Sequence, residues 1–82
     1  MGNQDFKSQL QKLGTTIREM RRARGLSQEG FADACGLDRT YIGGVERGAR
    51  NLGFKNLLHI AEALDVAPSE LLANISAKSG GK

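Results

Sequence analysis

The segment GLSQEGFADACGLDRTYIGGVERG, residues 25–48, reads as two short helices with a glycine turn between them. Ser27 supplies an N-cap oxygen for the first helix. Behind it Phe31, Ala32 and Cys35 recur at the spacing of one helical face. Gly30 stands where a capping box would carry Glu or Gln, so only half of that motif is present. Gly36 marks the turn, and Leu37 can plug the gap beneath it. Asp38 caps the second helix, Ile42 and Val45 face inward, and Gly48 closes it. Two such helices joined by a glycine-containing turn form a helix-turn-helix unit, here Gln28 to Arg47. Gly43 and Gly44 are the anomaly, because each weakens a helix interior by roughly 1 kcal/mol relative to alanine.

Upstream, Phe6, Leu10, Leu13, Ile17 and Met20 alternate spacings of four and three, the stripe of a long first helix. Gly14 weakens that helix without ending it, and Gly25 stops it. Downstream, Ala49 to Leu52 read as a polar loop. A fourth helix begins near Gly53, with Phe54, Leu57, Leu58, Ala61 and Leu64 expected inward. Pro68 suits the first turn of a fifth helix with Leu71, Leu72 and Ile75 on its apolar face. The expectation is an all-α protein of five helices in a single domain over residues 1–75, followed by a disordered Ser/Gly/Lys-rich tail, 76–82.

The 82 residues allow one small core, with no tryptophan in it. A lone cysteine, Cys35, excludes an internal disulfide and reads as core filler. No apolar run approaches the roughly 20 residues of a membrane span, and the N-terminus lacks the apolar run of a signal peptide. The expected location is the cytoplasm. The net charge is only +3. Its distribution is uneven: Arg18, Arg21, Arg22 and Arg24 cluster, and Arg39, Arg47, Arg50 and Lys55 follow. From residue 56 to 75 the only charges are Glu62, Asp65 and Glu70. Such asymmetry suits a nucleic-acid binder, although a solvated helix surface has the same composition. One histidine, His59, and one cysteine give no metal site of the usual ligand count. No activated nucleophile or phosphate-binding loop stands out, so neither catalysis nor a cofactor is expected.

The strings LGTTIREMRRARGLSQEGFADACGLDRTYIGGVERGARN (13–51) and LLHIAEALDVAPSELL (57–72) resemble the Cro/C1-type helix-turn-helix proteins, which include phage repressors and many bacterial regulators. GLSQ, the GLD turn, TYI and ERG, in that order and spacing, carry the resemblance. It implies a five-helix, lambda-repressor-like fold that binds double-stranded DNA, usually as a symmetric homodimer on a palindromic operator. RTYIGGVERGARN in so short a chain is further similar to the controller proteins of restriction–modification systems. General repressors and antitoxins share much of this lettering. A protein-interaction module on the same fold is the alternative, and no small-molecule ligand or membrane is expected.

The resemblance also assigns roles. Gln28 matches a glutamine that braces the DNA backbone and supports a base contact. Arg39 and Thr40 match the two leading recognition positions. There an arginine can pair with guanine O6 and N7, and a threonine methyl can pack on thymine. Tyr41 either touches DNA or packs against the first helix. Arg47, Arg50 and Asn51 match phosphate contacts or, alternatively, form a solvated loop. At Gly44 the family often places a base-reading side chain; its absence suggests that Gly43 and Gly44 let the helix backbone approach the duplex closely. Arg21 and Glu46 match a structural salt bridge. Leu71, Leu72 and Ile75, with part of the fourth helix, are candidates for the dimer seam.

Overall fold

A computed structural model describes residues 3–75; the expected tail at 76–82 lies outside the described residues. Five helices follow in order: α1 (Asn3–Ala23), α2 (Gln28–Cys35), α3 (Arg39–Glu46), α4 (Phe54–Leu64) and α5 (Pro68–Leu71). No strand occurs among the described residues. Their core is a cluster to which every helix contributes. It includes Leu13 and Ile17 of α1, Phe31 and Cys35 of α2, Ile42 and Val45 of α3, Ile60 and Leu64 of α4, and Leu71 of α5. Burial pushes the Cys35 pKa from 9.0 up to about 11, leaving an unreactive thiol at neutral pH.

Helix ends follow from local chemistry. Ser27 Oγ accepts from Gly30 N at 2.9 Å, and Asp38 Oδ1 accepts from Thr40 N at 2.7 Å. These two caps satisfy backbone donors that the first helical turn leaves without partners. Pro68 opens α5, where Glu70 Oε2 reaches back to Ala67 N at 3.0 Å. The C-terminal ends of α1, α2, α3 and α4 share one hydrogen-bond pattern. In α2, Leu37 N donates to Ala32 O at 2.9 Å and Gly36 N to Asp33 O at 3.1 Å. This is a Schellman closure, which requires a left-handed residue at its pivot, here Gly36 at φ 71°. In α4 the pivot is Asp65 at φ 57°, one of the short polar residues that tolerate this region.

Gly14 has a long-range role that its local sequence does not reveal. A Cβ there would lie 2.6 Å from the carbonyl oxygen of Glu46, so α1 and α3 touch backbone to backbone at this point. Side-chain bonds fix the remaining contacts. Arg24 Nη1 donates to Leu64 O at 2.8 Å, placing a cation at the negative end of α4. Asn74 Nδ2 donates to Thr16 Oγ1 at 3.1 Å and ties the chain beyond α5 to α1.

Four expectations need correction. The helix α5 ends at Leu71, and residues 72–74 form a turn, so Ile75 is not on its face. Phe54 and Leu58 are exposed, at 72% and 41%. The inward face of α4 instead follows Leu57, Ile60, Ala61 and Leu64, which leaves Leu58 on its flank, while Phe54 is exposed at the first residue of the helix. Phe6 is also exposed. At 21 residues α1 is about 31 Å long, well beyond the 22 × 21 Å cross-section, so its first turns outrun the core. Leu71, proposed for a dimer seam, is fully buried at 0% exposure among its own chain's side chains.

Candidate nucleic-acid interface

A buried ion pair anchors α3. Arg21 Nε donates to Glu46 Oε2 at 2.6 Å, and Arg21 Nη2 to Glu46 Oε1 at 3.1 Å. The two side chains are only 8% and 2% exposed. Arg21 Nη1 also donates to Leu26 O at 2.7 Å, and Gln28 Nε2 to Glu46 Oε1 at 3.1 Å. The bidentate fork therefore joins α1, the turn before α2, the first residue of α2 and the last residue of α3. Arg21 is committed to this network and is not available to a ligand.

This frame fixes the outer side of α3. Arg39 and Thr40 are exposed at its first turn, directly after the Asp38 cap. Among the described residues no side chain buries them. Asp38→Ala should lower stability by about 1 kcal/mol, the usual value of an N-cap. In a domain of this size that corresponds to a melting point about 4–8 °C lower by circular dichroism. Asp38→Asn should retain most of the cap.

Tyr41, Arg50, Asn51 and Asn56 form one cluster beside that turn. Tyr41 Oη donates to Asn51 O at 3.3 Å and accepts from Asn56 Nδ2 at 3.2 Å. The Arg50 guanidinium carbon lies 5.6 Å from the centre of the Tyr41 ring, within cation–π range. Tyr41 is thus tied to the loop and to α4, and it also packs against the core cluster. Asn56 was not among the expected site residues. Nothing in its local spacing marks it, since its role depends on where α4 docks.

The glycine pair also proves different from an open strip. A Cβ at Gly44 would lie 2.6 Å from Arg50 Cγ, and one at Gly43 would lie 3.3 Å from Arg47 Nη1 and 3.7 Å from Gln28 Oε1. The space above both glycines is taken by the protein's own Arg50, Arg47 and Gln28. Arg47, Arg50 and Asn51 are nevertheless exposed, as Arg39 and Thr40 are.

An exposed, arginine-led second helix held by a buried Arg–Glu pair defines a helix-turn-helix protein of the Cro/C1 type. Comparison with known proteins agrees. The helix-turn-helix family model HTH_3 matches residues 17–71. Control protein C.BamHI of Bacillus amyloliquefaciens is 43% identical over 61 residues, covering 73% of this chain and 75% of that protein. Control protein C.SmaI of Serratia marcescens is 40% identical over 67 residues, covering 82% and 80%. The crystal structure of the restriction-modification controller protein C.AhdI from Aeromonas hydrophila is similar with a TM-score of 0.77. It shares 55% identity and covers 78% of this chain and 97% of that one. The chain belongs to the Cro/C1-type helix-turn-helix family of transcription regulators.

Proposed function

We propose that this regulator reads double-stranded DNA as a homodimer on a palindromic operator, and that it controls a restriction–modification operon. The observation that carries the DNA reading is the exposed Arg39–Thr40 pair at the capped start of α3, flanked by Arg47 and Arg50. The second helix of such a unit enters the major groove with its first residues leading, and two such helices about 34 Å apart span one turn of DNA. Gln28 braces the backbone contact in this reading, and its bond to Glu46 supports that role. The controller role is supported by relatives that are themselves control proteins and by a similar solved controller structure. A regulator of this kind works beside the chromosome, in the cytoplasm, without a cofactor or catalytic step.

The test is binding to duplex DNA at increasing salt. Neutralising several phosphates makes log K fall linearly with log salt, by about 0.9 per phosphate. A flat response would instead favour a protein-interaction module on this fold.

The homodimer is supported by exposed apolar side chains on one region of the fold. Phe54 and Leu58 stand one turn apart on α4, and Leu72 is exposed just past α5, which packs on α4. Leu72 and Ile75 stay candidates for the seam; Leu71 does not. Leu58→Glu should convert a dimer to a monomer in sedimentation equilibrium, with operator affinity lost in parallel. In a two-fold interface the substitution buries the charge twice, once from each protomer.

A further inference from the structure

We propose that Gly44 is a positioning residue for Arg50: the missing side chain seats the arginine stem across α3, so the loop supplies a fixed cation beside the recognition helix. This rests on the DNA-binding reading above. Three observations place the seat. First, α3 ends in a Schellman closure, with Ala49 N donating to Gly44 O at 2.8 Å and Gly48 N to Val45 O at 3.0 Å. Gly48, at φ 74°, is its left-handed pivot. The closure folds the chain back, so that a residue only two positions beyond Gly48 returns over the helix.

Second, the stem of Arg50 lies where a side chain at 44 would begin. A Cβ there would meet Cγ at 2.6 Å, Nε at 3.6 Å and Cβ at 3.7 Å. Third, the guanidinium ends 5.6 Å from the Tyr41 ring centre. That ring is itself held by Asn51 O and Asn56 Nδ2. An exposed arginine ordinarily loses much rotamer freedom on binding a phosphate. Here the stem and the head are both placed beforehand, which reduces that loss.

The contrast with Gly14 makes the idea testable. At Gly14 the obstructing atoms are backbone carbonyls, so an added methyl forces helices apart. At Gly44 the nearest obstruction is Arg50 Cγ, in the stem of an exposed side chain, and only a turn about the Arg50 Cα–Cβ bond moves it away. Gly44→Ala therefore unseats Arg50 by forcing that turn, with no backbone atom among the nearest obstacles. The melting temperature should be no lower than that of the parent, because alanine is the better helix former.

The experiment compares the parent, Gly44→Ala, Arg50→Ala and the double variant, with Gly43→Ala as a control. Tyr41 is the chain's one tyrosine, so its ring-proton shifts are assigned without ambiguity in the free protein. Gly44→Ala should move those shifts toward the Arg50→Ala values, while Gly43→Ala, whose methyl would meet only the tip of Arg47 among the arginines, should leave them near the parent. On a selected operator duplex, Gly44→Ala should weaken binding about tenfold, as expected for losing one charge-assisted contact. It should also flatten the salt slope by about 0.9. The double variant should bind no worse than Arg50→Ala alone, since coupled sites are non-additive. Parent-like Tyr41 shifts in Gly44→Ala would overturn the proposal, and so would additive losses, which indicate a direct backbone–DNA contact. Salt-independent binding by the parent would sink the DNA reading instead, with the Tyr41 shifts still deciding whether the seat exists.

Discussion

Glu46→Ala should lower the unfolding free energy by about 3–5 kcal/mol, the range for stranding one member of a buried ion pair. Three donors converge on this carboxylate: Nε and Nη2 of Arg21, and Nε2 of Gln28. Without it, a guanidinium remains in a site where its side chain is 8% exposed. Domains of this kind have about 5–15 kcal/mol of total stability, so the variant should melt at least about 12 °C lower and sit near its folding limit. Urea denaturation followed by circular dichroism measures the difference directly. A loss under about 1 kcal/mol would mean that the pair behaves like a solvated surface bridge. Replacing Arg21 and Glu46 together with apolar residues of similar volume should recover much of the loss, because no lone charge is then buried. Gln28 would still lose its anchor, so the recovered stability should not restore full DNA affinity.

Arg39→Ala should weaken binding to the preferred operator by about 1–3 kcal/mol, or roughly 5- to 150-fold, while leaving nonspecific binding much less affected. The physical reason is geometric. Asp38 fixes the first turn of α3 through the Thr40 amide, and Arg39 leaves that turn into solvent with its fork free. A guanidinium so placed can make two parallel bonds to guanine O6 and N7, which no other base pair offers in that pattern. Arg50→Ala should act differently, lowering affinity for all sequences alike through loss of a phosphate contact. Competition binding with single-base operator variants separates the two. Arg39→Ala should lose discrimination at one base pair per half-site, and Arg50→Ala should keep it.

What the sequence disclosed follows the range of the forces involved. Ser27, Asp38, Gly25, Gly36 and Gly48 act within a few residues of themselves, so their letters predict the helix ends directly. Asp65 closes α4 just as those glycines close their helices, but an aspartate does not announce a left-handed pivot. The helix FKNLLHIAEAL carries apolar residues on more than one side. Its inward face depends on docking against α2 and α5, which is why the sequence alone does not single out Ile60 over Phe54 and Leu58. The part played by Gly14 is likewise invisible locally, because the atoms that need the space belong to α3. The Arg21–Glu46 pair, 25 residues apart, was suggested by family resemblance and not by spacing. The site is legible in the same divided way. Arg39 and Thr40 follow from the motif, whereas the Tyr41–Asn56 bond and the Arg50 stem over Gly44 emerge only once the loop has folded back.

In the proposed mode of binding, the outer side of α3 enters the major groove with Arg39 leading. Dimethyl sulfate footprinting on a duplex selected from random sequence tests it most directly, because the reagent marks guanine N7 in the major groove and adenine N3 in the minor groove. The expected result is guanine N7 protection in two symmetric half-sites about one helical turn apart, lost at one guanine per half-site in Arg39→Ala. Protection confined to adenine N3, or a guanine pattern that Arg39→Ala leaves intact, would contradict it.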